Sequence, residues 1–543
     1  MSIMTEKGRW TGFAAALVSA SLALTLTACG TTAASNSSQS VDVSSEAAAA
    51  VESTSSEAAS SSAAIASKSA AASSANATPT KDEIKVEKTL ENTADGEHAV
   101  EADGTTENYA NVAVSKTGEA DGDEADFYGE NAAIFATNGA TLDLDEITVE
   151  TDGTHANAVF SYGEGTTVNI ADSVIETTGN CSGGLMTTGG GTMNAKNLRI
   201  TTQGNSSAAI RSDRGGGTVN VDGGVYTTSG TGSPVIYSTA DITVSNAELT
   251  SAASEGIVVE GKNSVTLNDV TLTADNNTKN SDKSDYYQAV MIYQSMSGDA
   301  AQGEASFTMN GGNLTNKNGD VFFVNNTVAT ISLANADIVN ESDGLFLRAA
   351  AAGWGSEGSN GGQVTLNADN QVIDGDMVVD KISHLNLYLK NGSTFEGAIN
   401  SDGQAGDVYV ELSGGSTWTL TSDSYITSLT CDADSINLNG HTLYVNGTAY
   451  VEGDASTGEA IEVTASSSAG ERSDGAMPPD MSSSESSSHS APPSGEKPSG
   501  SHGAPPSGEK PSGEPPAKPD GEKPSGEPPA KPGSSSGSSS STS

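Results

Sequence analysis

The chain has 543 residues, with 70 Asp+Glu against 24 Lys+Arg and a formal net charge of −46. Charged residues make up only 17% and aromatics 5%, so the imbalance reflects missing cations. This excludes a nucleic-acid binder, which needs a basic face toward phosphate, and a polytopic membrane protein, which needs several long apolar runs. Residues 1–80 hold 5 acids and 3 bases, and residues 466–543 hold 10 and 6, which leaves 55 and 15 in 81–465. The acidic body is therefore the middle of the chain, with a net charge of −40.

Taken in order, residues 1–28 read as a secretion signal. Lys7 and Arg9 precede an apolar stretch from Phe13 to Leu26, of signal-peptide length and short for a membrane span. The stretch ends Leu26-Thr27-Ala28-Cys29-Gly30. That order resembles the lipobox of bacterial lipoproteins, which implies cleavage before Cys29 and lipidation of its sulfur. The expected location is the extracytoplasmic cell surface, with the N-terminal lipid as the membrane anchor; two acyl chains hold stably where one is marginal. Residues 29–80 are mostly Ala and Ser with almost nothing large to bury, and read as a disordered stalk.

Residues 81–130 are polar and lack the register of the residues beyond them, so they read as an N-terminal cap and first irregular coils. Within them, Gly118–Asn131 carries Asp121, Asp123, Glu124 and Asp126 in one short acidic loop. Hard oxygen ligands at short spacing suit calcium. The spacing does not match an EF-hand, and the plain alternative is a solvated loop. No other cofactor is expected.

Residues 131–465 repeat at about 25 residues. Apolar positions recur at Ile134, Val159, Leu185, Ile210 and Ile236, and again at Leu142, Val168, Met193, Val219, Ile242 and Val265. Segments such as Thr167–Ser173, "TVNIADS", alternate apolar and polar residues, the period of a strand with one buried face. Gly, Asn, Asp and Ser turns separate them. One such unit cannot bury its apolar face alone, but a stack of units makes a continuous core. The predicted fold is all-β: a right-handed parallel β-helix of about 12–13 coils, continuing through Val259, Ile292, Phe322, Phe346 and Val378. Insertions at Asn276–Gln288, Ser297–Gly303 and Ala349–Gly362 are expected to bulge as loops from one side.

If Ile134 and its equivalents point inward, their neighbours point outward. That places Phe160, Arg211, Tyr237, Glu260 and Tyr293 in one exposed row, with Tyr162 and Asp213 in the next. Flat rings interspersed with charged groups suit sugar faces and hydroxyls, so these seven residues are the candidate ligand-binding face. The alternative is that overhanging loops cover the row. Arg211, Asp213 and Glu260 could also mimic part of a lyase site, in which a base removes a proton acidified by bound calcium, but no lyase motif accompanies them. His155 and His441 sit in or beside turns without a nucleophile or metal partner at useful spacing.

Residues 466–543 form a Pro/Ser/Gly-rich tail in which "APPSGEKPSG" starts at Ala491 and again at Ala504. It reads as a disordered cell-wall spacer.

Residues 125–450 resemble adhesin-like surface proteins with a right-handed β-helix of the pectin-lyase type. The stretch from "NGSTFEGAINSDG" to "SINLNGHTLYVNG" resembles autotransporter passenger repeats. The resemblance implies architecture more than chemistry. The function expected is non-catalytic, adhesin-like binding of a glycan or extracellular-matrix ligand, with no enzymatic activity. The alternatives are a polysaccharide lyase or hydrolase on the same fold, and a structural wall protein without a specific ligand.

Overall fold

The computed structural model describes residues 78–403 and 406–463. Cys29, the Ala/Ser stalk and the Pro-rich tail lie outside the described residues. The body is all-β and parallel. A typical coil contributes three strands, for example Val159–Tyr162, Thr167–Ala171 and Val174–Thr177, and in Gly191–Thr202 and Gly217–Thr228 the last two run on as one. The first stacks into an 11-stranded sheet, here called the short-strand sheet; the other two share a 21-stranded sheet, the long sheet, until the last coils, where a 4-stranded and a 3-stranded sheet complete the stack. In-register partners are a whole coil apart: Leu185 pairs with Val159 and Ile210, and Met193 with Val168 and Val219. The expected parallel β-helix solenoid is what the chain forms.

The inner rows are Val, Ile, Leu and Ala, almost all with no exposed surface. Each buried Val, Ile or Leu contributes about 1.5–3 kcal/mol. Toward the C-terminal end larger rings fill the interior: Phe307 meets Phe322 edge-on, Phe346 lies tilted against Phe322, and Phe395 stacks on Trp418 at 5.4 Å.

The turns are as regular as the strands. Where the two strands of the long sheet meet, the chain bends through a left-handed residue, Asp172, Asn197 or Asn246 among others. Asn tolerates this conformation, and its amide bonds the neighbouring coil: Asn197 Nδ2 donates to Asp172 Oδ1 at 2.5 Å. At another corner Gly153, Gly179, Gly204 and Gly230 stack so closely that a Cβ on Gly204 would lie 1.8 Å from the Gly179 carbonyl oxygen. Beside them Ser182, Ser207 and Ser233 each accept from the backbone of the preceding coil at 2.9–3.0 Å. These ladders satisfy buried backbone groups that a turn would otherwise strand.

Three differences from the sequence-based expectation emerge. The first coils, expected within 81–130 as irregular, pair in regular register with the next: Val100 with Ile134 and Val114 with Val149. Asp123–Tyr128 is a short α-helix and not a loop. After Ile236 the next coil is shorter than the repeat, and the partner of Ile236 is Ile257, not Val259. Val258 and Met291 thus occupy the row assigned to Glu260 and Tyr293, which sit two residues further along their strands. A slip of two keeps the same side chains facing outward.

Candidate functional site

The seven expected ligand-binding residues do face away from the core, and the structure brings most of them together. It also covers them. Phe160, Arg211, Asp213, Glu260 and Tyr293 are buried, and Tyr162 and Tyr237 are half-buried. The expectation of an open row is corrected on this point: the short helix and the three insertions lie over it.

The cover is held by specific contacts. Phe160 packs with Phe135, Met186 and Ala132, and Tyr162 meets Tyr128 of the short helix edge-on at 5.7 Å. Thr188 Oγ1 donates to the Phe127 carbonyl at 2.7 Å. Arg214 stacks on the Phe127 ring at 3.8 Å and pairs with Asp299 at 2.7 Å and Asp123 at 3.1 Å. Further along, Val258, Met291, Tyr293, Phe323, Ala350 and Trp354 form a second apolar cluster outside the core. Two insertions touch there, with Gly353 N donating to the Lys283 carbonyl at 2.6 Å.

Beneath this cover lies a polar cluster. Arg211 Nη2 donates to Asp213 Oδ2 at 2.8 Å. Tyr237 bonds the Glu260 carboxylate, and Tyr293 Oη donates to the same oxygen at 3.0 Å. Burial pushes the Glu260 carboxyl up, opposed by hydrogen bonds from Ser295 and Tyr237. Burial pushes Asp213 up as well, opposed by Arg211, and with the Glu260 charge it holds both phenols well above their ordinary values. Arg211 Nη1 and Glu260 Oε1 have no hydrogen-bond partner among the described residues.

The four calcium candidates do not converge. Asp121 is exposed, Asp123 turns to Arg214, and Asp126 turns inward, where its Oδ1 lies 2.9 Å from His155 Nδ1. Glu124 is the second residue of the helix, and its carbonyl accepts from the Gly129 N–H that ends it. Asp126, His155 and Cys181 bring potential ligand atoms within 4.8 Å of one another, but Cys181 already has a partner of its own. The His155–Asp126 pairing was not legible in the sequence, because the helix that delivers Asp126 is an insertion with no repeat partner.

The open site is on the long sheet, which sequence reasoning did not single out. Its outward rows form a trough of about 860 Å³ running across the N-terminal coils. Asp143, Asn169, Asn194, Asn220 and Thr243 stack in register along it, and Asp145, Ala171, Lys196, Asp222 and Ser245 form the adjacent row. Asn220 Nδ2 donates to Asn194 Oδ1 at 3.0 Å, Asn194 to Asn169 at 2.9 Å, and Asn169 to Asp143 Oδ1 at 2.7 Å. A carboxylate can only accept, so Asp143 orients the whole ladder. Each amide keeps one N–H and one carbonyl lone pair for a ligand. The signal was present as the recurring "T-x-N" of strands Thr167–Ala171, Gly191–Thr202 and Gly217–Thr228.

No protein-family model matches the chain, and no curated protein is significantly similar to it.

Proposed function

We propose that this chain is an adhesin-like surface lipoprotein, held to a bacterial membrane through lipid on Cys29, that binds carbohydrate non-catalytically through an outward face of its β-helix. The observation that supports this reading is the polarised amide ladder in the long-sheet trough. It offers paired donors and acceptors at about one coil step, 4.8 Å, to a ligand rich in hydroxyls. The covered face serves instead to hold the short helix and the insertions onto the solenoid. A lyase or hydrolase would need a route to Arg211, Asp213 and Glu260, which the cover separates from solvent.

Two experiments test the reading. A glycan array probed with the full chain should show saturable binding that is lost in Asn169→Ala/Asn194→Ala/Asn220→Ala. Absence of binding to every glycan, with and without calcium, would leave the structural wall protein as the better reading. Metabolic labelling with a radioactive fatty acid should mark the protein, and Cys29→Ala should abolish the label.

A further inference from the structure

The long sheet already holds stretches of chain on its outward side: near the N-terminus Arg199 Nε donates to the Pro79 carbonyl at 2.9 Å and Lys81 pairs with Glu176 at 3.3 Å, beside the trough, and residues 458–461 lie toward the other end. Gly458 N donates to Thr430 Oγ1 at 3.0 Å and Glu459 N to Ser428 Oγ at 3.0 Å. Asn386 pairs with both backbone groups of Ile461, accepting from its N–H and donating to its carbonyl, each at 2.9 Å. Asn386 and Ser428 are stacked two coils apart through Tyr409. This segment therefore runs along the solenoid axis, gripped by outward side chains of two coils that lie two steps apart. The trough presents the same kind of row toward the other end of the sheet, without such a segment from the described residues.

Its charge is distinctive. Asp143 and Asp145 stand toward one end and Asp222 toward the other, with Lys196 between. The two groups are three coil steps apart, about 14 Å. None of the three carboxylates has an ion-pair partner among the described residues. On the covered face, by contrast, Asp213, Asp299 and Asp320 are each paired with an Arg. Within a body of net charge −40, unpaired carboxylates around an amide floor repel uronates and sulfated sugars and attract ammonium groups.

Resting on the carbohydrate reading above, we propose that the trough selects a linear amino-sugar polymer with free ammonium groups, laid along the solenoid axis. The amides of Asn169, Asn194 and Asn220 meet its hydroxyls, and Asp143, Asp145 and Asp222 meet its cations.

Titration calorimetry of the full chain with three hexamers tests this: glucosamine, N-acetylglucosamine and galacturonate. The glucosamine hexamer should bind tightest, and Asp143→Asn/Asp145→Asn/Asp222→Asn should weaken it about tenfold or more. A control of equal charge change outside the trough, Asp337→Asn/Asp374→Asn/Glu396→Gln, should leave binding within about twofold. If both triple variants weaken binding equally, the attraction belongs to the whole acidic body and the proposal falls. If galacturonate or the acetylated hexamer binds as well as glucosamine, the proposal falls while the carbohydrate reading stands. If no hexamer binds and no glycan on the array does, both fall.

Discussion

The two outward faces of this solenoid come from one repeat and end in opposite states. On the short-strand sheet the outward row carries Phe, Tyr, Arg and Glu, and insertions close over it. On the long sheet the outward rows along the trough carry Thr, Asn and Asp, and there the N-terminal coils stay open. The difference teaches that large outward side chains on a β-helix are not themselves evidence of a ligand face. An aromatic or Arg next to an insertion is the anchor by which that insertion is held, because burying a ring contributes more than leaving it in water. Short amides and hydroxyls cost little when exposed, and so mark the surface that remains available.

The comparison is broken most easily at the anchors. Removing the Arg211 side chain leaves Asp213 buried and unpaired, so Arg211→Ala should cost about 3–5 kcal/mol; chemical denaturation of the body would read it. A loss below about 1 kcal/mol would mean that Asp213 reaches water and the cover is loose. Phe323→Ala, at an outward position with no exposed surface, should cost about 3–5 kcal/mol by leaving a cavity under the insertions. Limited proteolysis should then cut within Asn276–Gln288 or Ala349–Gly362 before it cuts the coils.

A smaller effect sharpens the contrast through pH. Burial raises Glu260 above the ordinary carboxyl value, so the folded state holds this proton more tightly than the unfolded chain. Its stabilising contribution is present below the unfolded pKa and is lost as pH rises through the folded one. Melting temperature should therefore fall less between about pH 5 and about pH 8 in Glu260→Gln than in the parent. Asp213 is shifted in the same direction, so part of the slope should persist. Equal slopes in the two proteins would show that Glu260 is solvated.

The smallest stability effect belongs to the open face. Asn194→Ala removes one amide from a half-exposed ladder, and should cost about 1 kcal/mol or less. Its effect on glycan binding should be disproportionate, because the ladder loses continuity at its centre. A variant that melts several degrees lower and binds glycan unchanged would invert the comparison.

Period and alternation were legible in the sequence because both are local. A strand with one buried face must alternate, as Thr167–Ala171 does, and a coil of constant length must bring Val168 over Leu142 and under Met193. Composition likewise places the −40 on the body and leaves both ends near neutral. Tertiary structure alone decided the rest. The register after Tyr237 depends on how short one turn is, and an apolar pattern that tolerates a slip of two cannot report it. The cover over Arg211 depends on Asp123, Phe127 and Asp299 reaching Arg214 from 91, 87 and 85 residues away. Insertions have no repeat partner, so periodicity carries no information about where they land. The strands were therefore determined by short-range pattern, and the choice of open face by long-range packing.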